Sequence, residues 1–152
     1  MARCRAPARA HGLAPPALQP GSLPGALSNL ARRVRRAYGI RRQFRKHIAA
    51  PLQLDTTQAN HLYRIAQVGV NKAVRHGRAT FITLRLAADA RSIALTVTDN
   101  GRGIPRTRQA SPGMGLRIME YRARMLDGTL RIESPRRGGT AIRCCVSVSP
   151  TR

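Results

Sequence analysis

Apolar and polar positions change period several times along the chain, and each change marks an element. Leu23, Leu27, Leu30, Val34 and Ala37 recur at helical spacing, with Arg32, Arg33 and Arg36 off that stripe. The spacing predicts a helix closed by Gly39 as its C′ residue. Ile40 to Ile48 reads as a heavily cationic strand, placed at a sheet edge where charge blunts further pairing. Asp55-Thr56-Thr57 offers N-cap side chains, and the run to His76 predicts a long helix stopped by Gly77. Leu62, Ile65, Ala66, Gly69 and Ala73 form its inward face. Two strands follow, Phe81–Ala87 and Ser92–Asp99. In the second, Ile93, Leu95 and Val97 share one face, and Asp99 has the same parity, which puts a carboxylate at a strand end on the core side. Residues 100–114 read as a Gly/Pro/Arg loop. Leu116, Met119, Ala123 and Leu126 then predict an amphipathic helix closed by Gly128, and two last strands, Thr129–Glu133 and Thr140–Val148, flank a Pro-Arg-Arg-Gly-Gly turn.

The order is helix, strand, helix, two strands, loop, helix, two strands, without internal repeats. It predicts an α/β fold, a two-layer sandwich in which a mixed β-sheet carries its helices on one face. Residues 1–21 hold four prolines and no usable periodicity. They are expected to be a disordered or loosely docked basic arm, leaving 22–152 as one domain.

Composition changes this picture in one respect. Apolar residues make up 42% and aromatics 3%, with no Trp, so the interior must be aliphatic. Against 6 acidic residues stand 28 basic ones, a net charge of +22. Only Lys46 and Lys72 are lysines, and residues 1–54 contain no acidic residue at all. Such an excess attracts nucleic acid, anionic membrane or phosphorylated ligands. It also matches the Arg/Ala/Pro/Gly bias of a GC-rich coding sequence. Tyr38, Phe44, Tyr63, Phe81 and Tyr121 are scattered, and no zinc-finger spacing is present, so nucleic-acid binding stays open without a motif. No apolar run is long enough for a membrane-spanning helix. Three cysteines are too few for a disulfide scaffold, which makes a cytoplasmic setting the expectation. Cys144 and Cys145 have no metal-ligand spacing to Cys4 and read as structural or incidental thiols.

The sharpest local feature is Asp99-Asn100-Gly101-Arg102-Gly103-Ile104-Pro105. A core-side carboxylate at a strand end can accept a hydrogen bond from an amine-bearing ring, and the glycines let backbone pass close to such a ligand. Gly113-Met114-Gly115-Leu116 opens the next helix, whose free N–H groups and positive dipole end suit phosphates. Gly138-Gly139-Thr140 begins the last strand. Each cluster alone is an ordinary Gly-rich turn; the three in this order are specific.

The chain resembles the Bergerat-fold ATPases of gyrase, the large heat-shock chaperones, MutL and histidine kinases. Within them it is most similar to the catalytic, ATP-binding domain of two-component sensor histidine kinases that partner LuxR-type response regulators. The resemblance rests on His61 to Gln67, Ala73 to Ala79, Asp99 to Pro105, Gly113 to Met119, Tyr121 to Leu126 and Gly139-Thr140, and it runs from about His11 to the C-terminus. It implies that Asp99 recognises adenine through the exocyclic amine, that Gly101 and Gly103 shape that pocket, and that Thr140 supports an Asp99–water–adenine network. Residues 106–112 become a short lid. Gly113, Gly115 and Leu116 present backbone to the phosphates, and Arg75 and His76 reach toward them.

Two positions depart from the family. Its long helix usually carries a Glu at the position of Val68 and a Mg²⁺-binding Asn at that of Lys72, one turn apart and on one side. Val68 cannot polarise an attacking group. Charged Lys72 has no lone pair for a cation that wants oxygen donors. Asn71 is present as a candidate Mg²⁺ ligand, but it lies about 100° around the helix from Lys72 at 3.6 residues per turn. The resemblance therefore implies an ATP site with Mg²⁺ in doubt. It also implies a histidine-kinase dimerisation domain and a LuxR-type response regulator as partners. His11 lies in the Pro-rich arm and makes a poor phospho-acceptor, so the chain is expected to be a truncated kinase or a module acting on a partner in trans. The alternatives are a non-catalytic nucleotide-binding pseudokinase or adaptor, an anti-sigma-factor serine kinase, and a basic nucleic-acid binder.

Overall fold

The computed structural model describes residue 18, residues 22–104 and residues 113–148. The basic arm expected over 1–21, apart from Leu18, and the lid expected over 106–112 lie outside the described residues. Eight elements follow in the expected order: α1 (Leu23–Tyr38), β1 (Arg41–Ile48), α2 (Thr56–Arg75), β2 (Phe81–Ala88), β3 (Ser92–Asp99), α3 (Met114–Met125), β4 (Thr129–Glu133) and β5 (Thr140–Ser147). The strands form one mixed sheet in the order β1-β2-β3-β5-β4. β1 runs parallel to β2 and all other neighbours are antiparallel. This is the two-layer sandwich of the Bergerat ATP-binding fold.

Local chemistry sets the helix ends. Gly39 closes α1 in the left-handed conformation at φ 67° and returns its N–H to Arg35 O. Asp55 caps α2 in a capping box: its carboxylate accepts from Gln58 N at 2.7 Å, and Gln58 Oε1 accepts from Asp55 N at 3.0 Å. α2 stops at Arg75, with His76 as its C-cap. α3 begins at Met114, inside the expected loop, because Gly113 already serves as its N-cap.

All three helices lie on one face of the sheet. α1 covers β1 and β2, α2 crosses the centre over β2, β3 and β5, and α3 packs against α2 and β4. Alternate residues of the central strands point into this layer: Ile82, Leu84 and Leu86 from β2, Ile93, Leu95 and Val97 from β3, and Ile142, Cys144 and Val146 from β5 are all buried. Fully burying each large aliphatic side chain contributes about 1.5–3 kcal/mol. Gly69 lets α2 approach closely, since a methyl there would sit 3.2 Å from Ile142 Cδ1 and 3.3 Å from Val97 Cγ1. On the outer side of the helix layer, Arg122 of α3 places a guanidinium nitrogen 3.1 Å from His61 Nδ1 of α2. Burial, and then that neighbouring positive charge, lower the His61 pKa. The opposite sheet face is uncovered by any described element.

Candidate functional site

Alternation along β3 delivers Asp99 to the helix side of the sheet, where β3 ends beneath the C-terminal half of α2. Asp99 and its cross-strand partner Thr140 are the buried polar residues of the described chain, 8% and 7% exposed. They stand at the end of a cleft of about 280 Å³, close to the small end of ligand sites. α2 contributes Gly69, Lys72 and Ala73 to its wall, followed by its C-cap His76 and by Gly77; Leu116 comes from α3 and Ile142 from β5; Arg102, Gly103 and Ile104 come from the loop after β3.

The carboxylate is held in place by backbone. Asp99 Oδ1 accepts from Gly101 N at 2.7 Å. Burial raises its pKa above the usual aspartate range, against the lowering effect of N–H groups from Gly101 and Thr140. Around it the chain passes so closely that only glycine fits at two positions. A methyl on Gly101 would lie 2.2 Å from Gly77 O, which itself accepts from Arg102 N at 2.7 Å. A methyl on Gly139 would lie 1.9 Å from Asp99 O, and Gly139 has φ +87°. Asn100 has a structural part: its Oδ1 accepts from Thr80 N and Phe81 N, both at 2.9 Å, and its Nδ2 donates to Thr80 Oγ1 at 2.8 Å. It clips the loop after β3 to the start of β2.

At the other end of the cleft the side chain of Lys72 lies over the start of α3. A methyl on Gly115 would be 2.8 Å from Lys72 Cε, 3.3 Å from its Nζ and 3.3 Å from Val68 Cγ1. Both departures from the family pattern therefore meet the same helix start. Gly113 is the N-cap there, and the first turn of α3 contains no acidic residue. The positive end of a helix dipole is a place that suits an anion.

The structure thus brings Lys72, His76, Asp99, Gly103, Leu116 and Thr140 around one cleft, with Gly101 and Gly115 packed directly behind its ends. Arg75, exposed at the end of α2, and Gly113, the α3 N-cap, are not among the residues that line it. Asn71 takes a different place. It lines a groove between α1 and α2 with Leu30, Val34 and Tyr38, as the helical angle to Lys72 requires. The lining also includes residues whose role the sequence did not announce. Gly69 and Ala73 read as helix core, Gly77 as a stop signal, and nothing near Ile142 marks it as part of a cleft.

The donor set does not fit Mg²⁺. Asp99 is the one carboxylate lining the cleft and is engaged by backbone N–H, while a lysine occupies the position where the resemblance puts the metal ligand. Among the described residues no group of three or more His, Cys, Asp or Glu side chains converges on a metal-sized site. What the cleft can do is hold a flat, amine-bearing ring between Ala73, Ile104 and Ile142, with a carboxylate at its inner end and cationic groups at its outer one.

Comparison with known proteins points the same way. Residues 57–150 match the family described as histidine kinase-, DNA gyrase B-, and HSP90-like ATPase. The chain is 34% identical over 92 residues to the nitrate/nitrite sensor protein NarX of Escherichia coli, covering 60% of this chain and 15% of that protein. It is 35% identical over 99 residues to the sensor histidine kinase LnrJ of Bacillus subtilis, covering 65% and 23%. The chain thus spans less than a quarter of the length of these relatives. Among solved structures, the histidine kinase domain of a blue-light activated histidine kinase from Erythrobacter litoralis superposes with a TM-score of 0.68 at 20% identity, covering 86% of this chain and 66% of that one. The ATP-binding domain of PrrB from Mycobacterium tuberculosis gives 0.64 at 20% identity, covering 86% and 95%.

Proposed function

Since the chain belongs to the histidine kinase-, DNA gyrase B-, and HSP90-like ATPase family, we propose that its cleft binds ATP, with adenine against Asp99 and the polyphosphate over the start of α3. The reading is of a sensor-kinase ATP-binding domain weakened in phosphoryl transfer. The observation that carries it is the pairing of opposite chemistries across one cleft: a buried carboxylate at the inner end, and Lys72 beside the start of α3 at the outer end.

In an active relative, transfer moves the γ-phosphoryl group of ATP to a histidine nitrogen on a dimerisation domain, with ADP as the leaving group, and then to a carboxylate of a response regulator. That chemistry depends on positioning and on neutralising phosphate charge. Here the Lys72 ammonium takes over part of the charge neutralisation, and Val68 offers nothing that could polarise the attacking imidazole. The proposal extends to a dimerisation domain and a LuxR-type regulator as partners, in the cytoplasm; the likeness to sensor proteins supports its kinase-like part alone. Val68 and Lys72 favour a second reading, a nucleotide-binding adaptor without transfer.

Isothermal titration with ATP, with and without Mg²⁺, tests the first proposal. Binding in the absence of metal, little changed by adding it, is expected; affinity that demands Mg²⁺ refutes it. Labelled ATP with a supplied dimerisation domain separates the two readings. Slow transfer by the native chain supports the weakened kinase. Transfer only in Val68→Glu/Lys72→Asn supports the adaptor.

A further inference from the structure

The uncovered face of the sheet carries an alignment that the nucleotide cleft does not use. Strand register places Arg45 beside Arg85, Arg85 beside Thr96, Thr96 beside Arg143, and Arg143 beside Arg131. Four arginines therefore stand in one row across all five strands, each exposed. With about 4.8 Å between strands, the row is roughly 19 Å long. Two of its neighbouring pairs, Arg45–Arg85 and Arg131–Arg143, set like charges directly opposite each other, an arrangement that weakens a sheet. The register places a single acidic residue of the strands on this face, Glu133, in the adjacent row at the sheet edge. Coding bias alone scatters arginines; it does not line them up where they repel.

The surroundings of the row say what it fits. Between and beside the arginines lie Thr83, Thr96, Thr98, Ala94 and Ala141, which keep the face low, and Arg143 Nε donates to Cys145 Sγ of its own strand at 3.3 Å. Phe81 is covered by Arg41, whose guanidinium carbon is 5.5 Å from the ring centroid. Among the described residues the face thus has no fully exposed aromatic platform on which unpaired bases could stack, and no large exposed apolar side chain to insert into a lipid surface. It has forked donors in a line, the geometry that matches phosphate oxygens.

We infer that this open sheet face docks the phosphate backbone of duplex DNA, without base readout. A duplex lying along the row offers roughly 11 phosphate charges over its 19 Å, more than enough to engage four guanidinium groups. The site is independent of the cleft, because Asp99 and Thr140 point to the opposite side of the sheet.

Fluorescence anisotropy of a labelled 20-base-pair duplex with the full chain tests this. Four phosphate contacts give a log–log salt slope near −3.6, so affinity falls about 150-fold between 50 and 200 mM salt. Arg85→Gln/Arg143→Gln should bring the slope to about −1.8 and the fall to about 12-fold, while Arg32→Gln/Arg36→Gln on α1, with the same loss of charge, leaves both unchanged. Thermal unfolding checks that both variants fold, and saturating ATP should not displace the duplex. Equal losses in the two variants would overturn the inference in favour of diffuse charge. Row-dependent binding of anionic phosphatidylglycerol vesicles without duplex binding would overturn it in favour of a membrane surface.

Discussion

Replacing Asp99 by Asn should make the protein more stable and a poorer nucleotide binder at once. The carboxylate is 8% exposed, and burial outweighs the N–H groups of Gly101 and Thr140 in setting its pKa, which is raised. A raised native pKa means the folded state holds the proton more tightly than the unfolded chain does. Stability therefore falls as pH rises from the unfolded carboxyl pKa through the folded one, and the full penalty is present above both. Each unit of such a rise corresponds to about 1.36 kcal/mol at neutral pH. Asn removes that penalty while keeping an oxygen for Gly101 N, which now donates to Asp99 Oδ1 at 2.7 Å. The gap between Asp99→Asn and the native chain should open through the acid range and stay constant toward neutrality. Asp99→Ala, in contrast, orphans the Gly101 N–H and should lose about 1–3 kcal/mol.

Nucleotide affinity should move differently. With its oxygen facing Gly101, the Asn turns an NH₂ group toward the cleft, donor against the adenine amine. A charge-assisted hydrogen bond of about 1.5–3 kcal/mol disappears, a loss of roughly 10- to 150-fold in Kd. Urea unfolding of the three proteins from pH 4 to 8, with ATP titration at pH 7, measures both. An Asp99→Asn variant less stable than the native chain at pH 7 would refute the reasoning, because burial would then not be the dominant influence on the carboxyl.

Other consequences are as direct. Gly139→Ala forces a side chain onto φ +87° and onto Asp99 O, so it should cost at least about 1–3 kcal/mol in denaturant unfolding and loosen the cleft. Burial and Arg122 depress the His61 pKa, so its NMR titration midpoint should fall below about 6.5. The stability this group contributes is present above that unfolded value and lost as pH drops through the folded one; Arg122→Gln should shift the midpoint back up. Burial pushes the Cys144 thiol up to about 12, whereas Cys145 is partly exposed. Peptide mapping after iodoacetamide should find Cys145 alkylated in the native chain and Cys144 only after unfolding. Arg85→Thr should raise stability by about 0.2–1 kcal/mol in urea unfolding by relieving the Arg45 pair.

Much of the molecule is written locally. Period, caps and glycines depend on residues within a turn or a strand of one another, so Asp55, Gly39 and the parity of Asp99 with Val97 were readable and the elements fell within a residue or two of expectation. The resemblance pointed to Asp99 and to Lys72 because their neighbours in sequence carry the pattern. Convergence is another matter. Lys72 meets Gly115 across 43 positions, and Ile142 joins Gly69 only because α2 crosses β5 at a glycine. Asn71, adjacent to Lys72 in sequence, faces another groove because one residue of helix turns it through about 100°. The row of Arg45, Arg85, Arg143 and Arg131 exists only once register is fixed, since it joins residues from four strands that no sequence spacing relates. Sequence alone determined the elements, the aliphatic core and the positive charge; the packing of strands and helices decided which of those charges line the cleft and which stand in line on the open sheet.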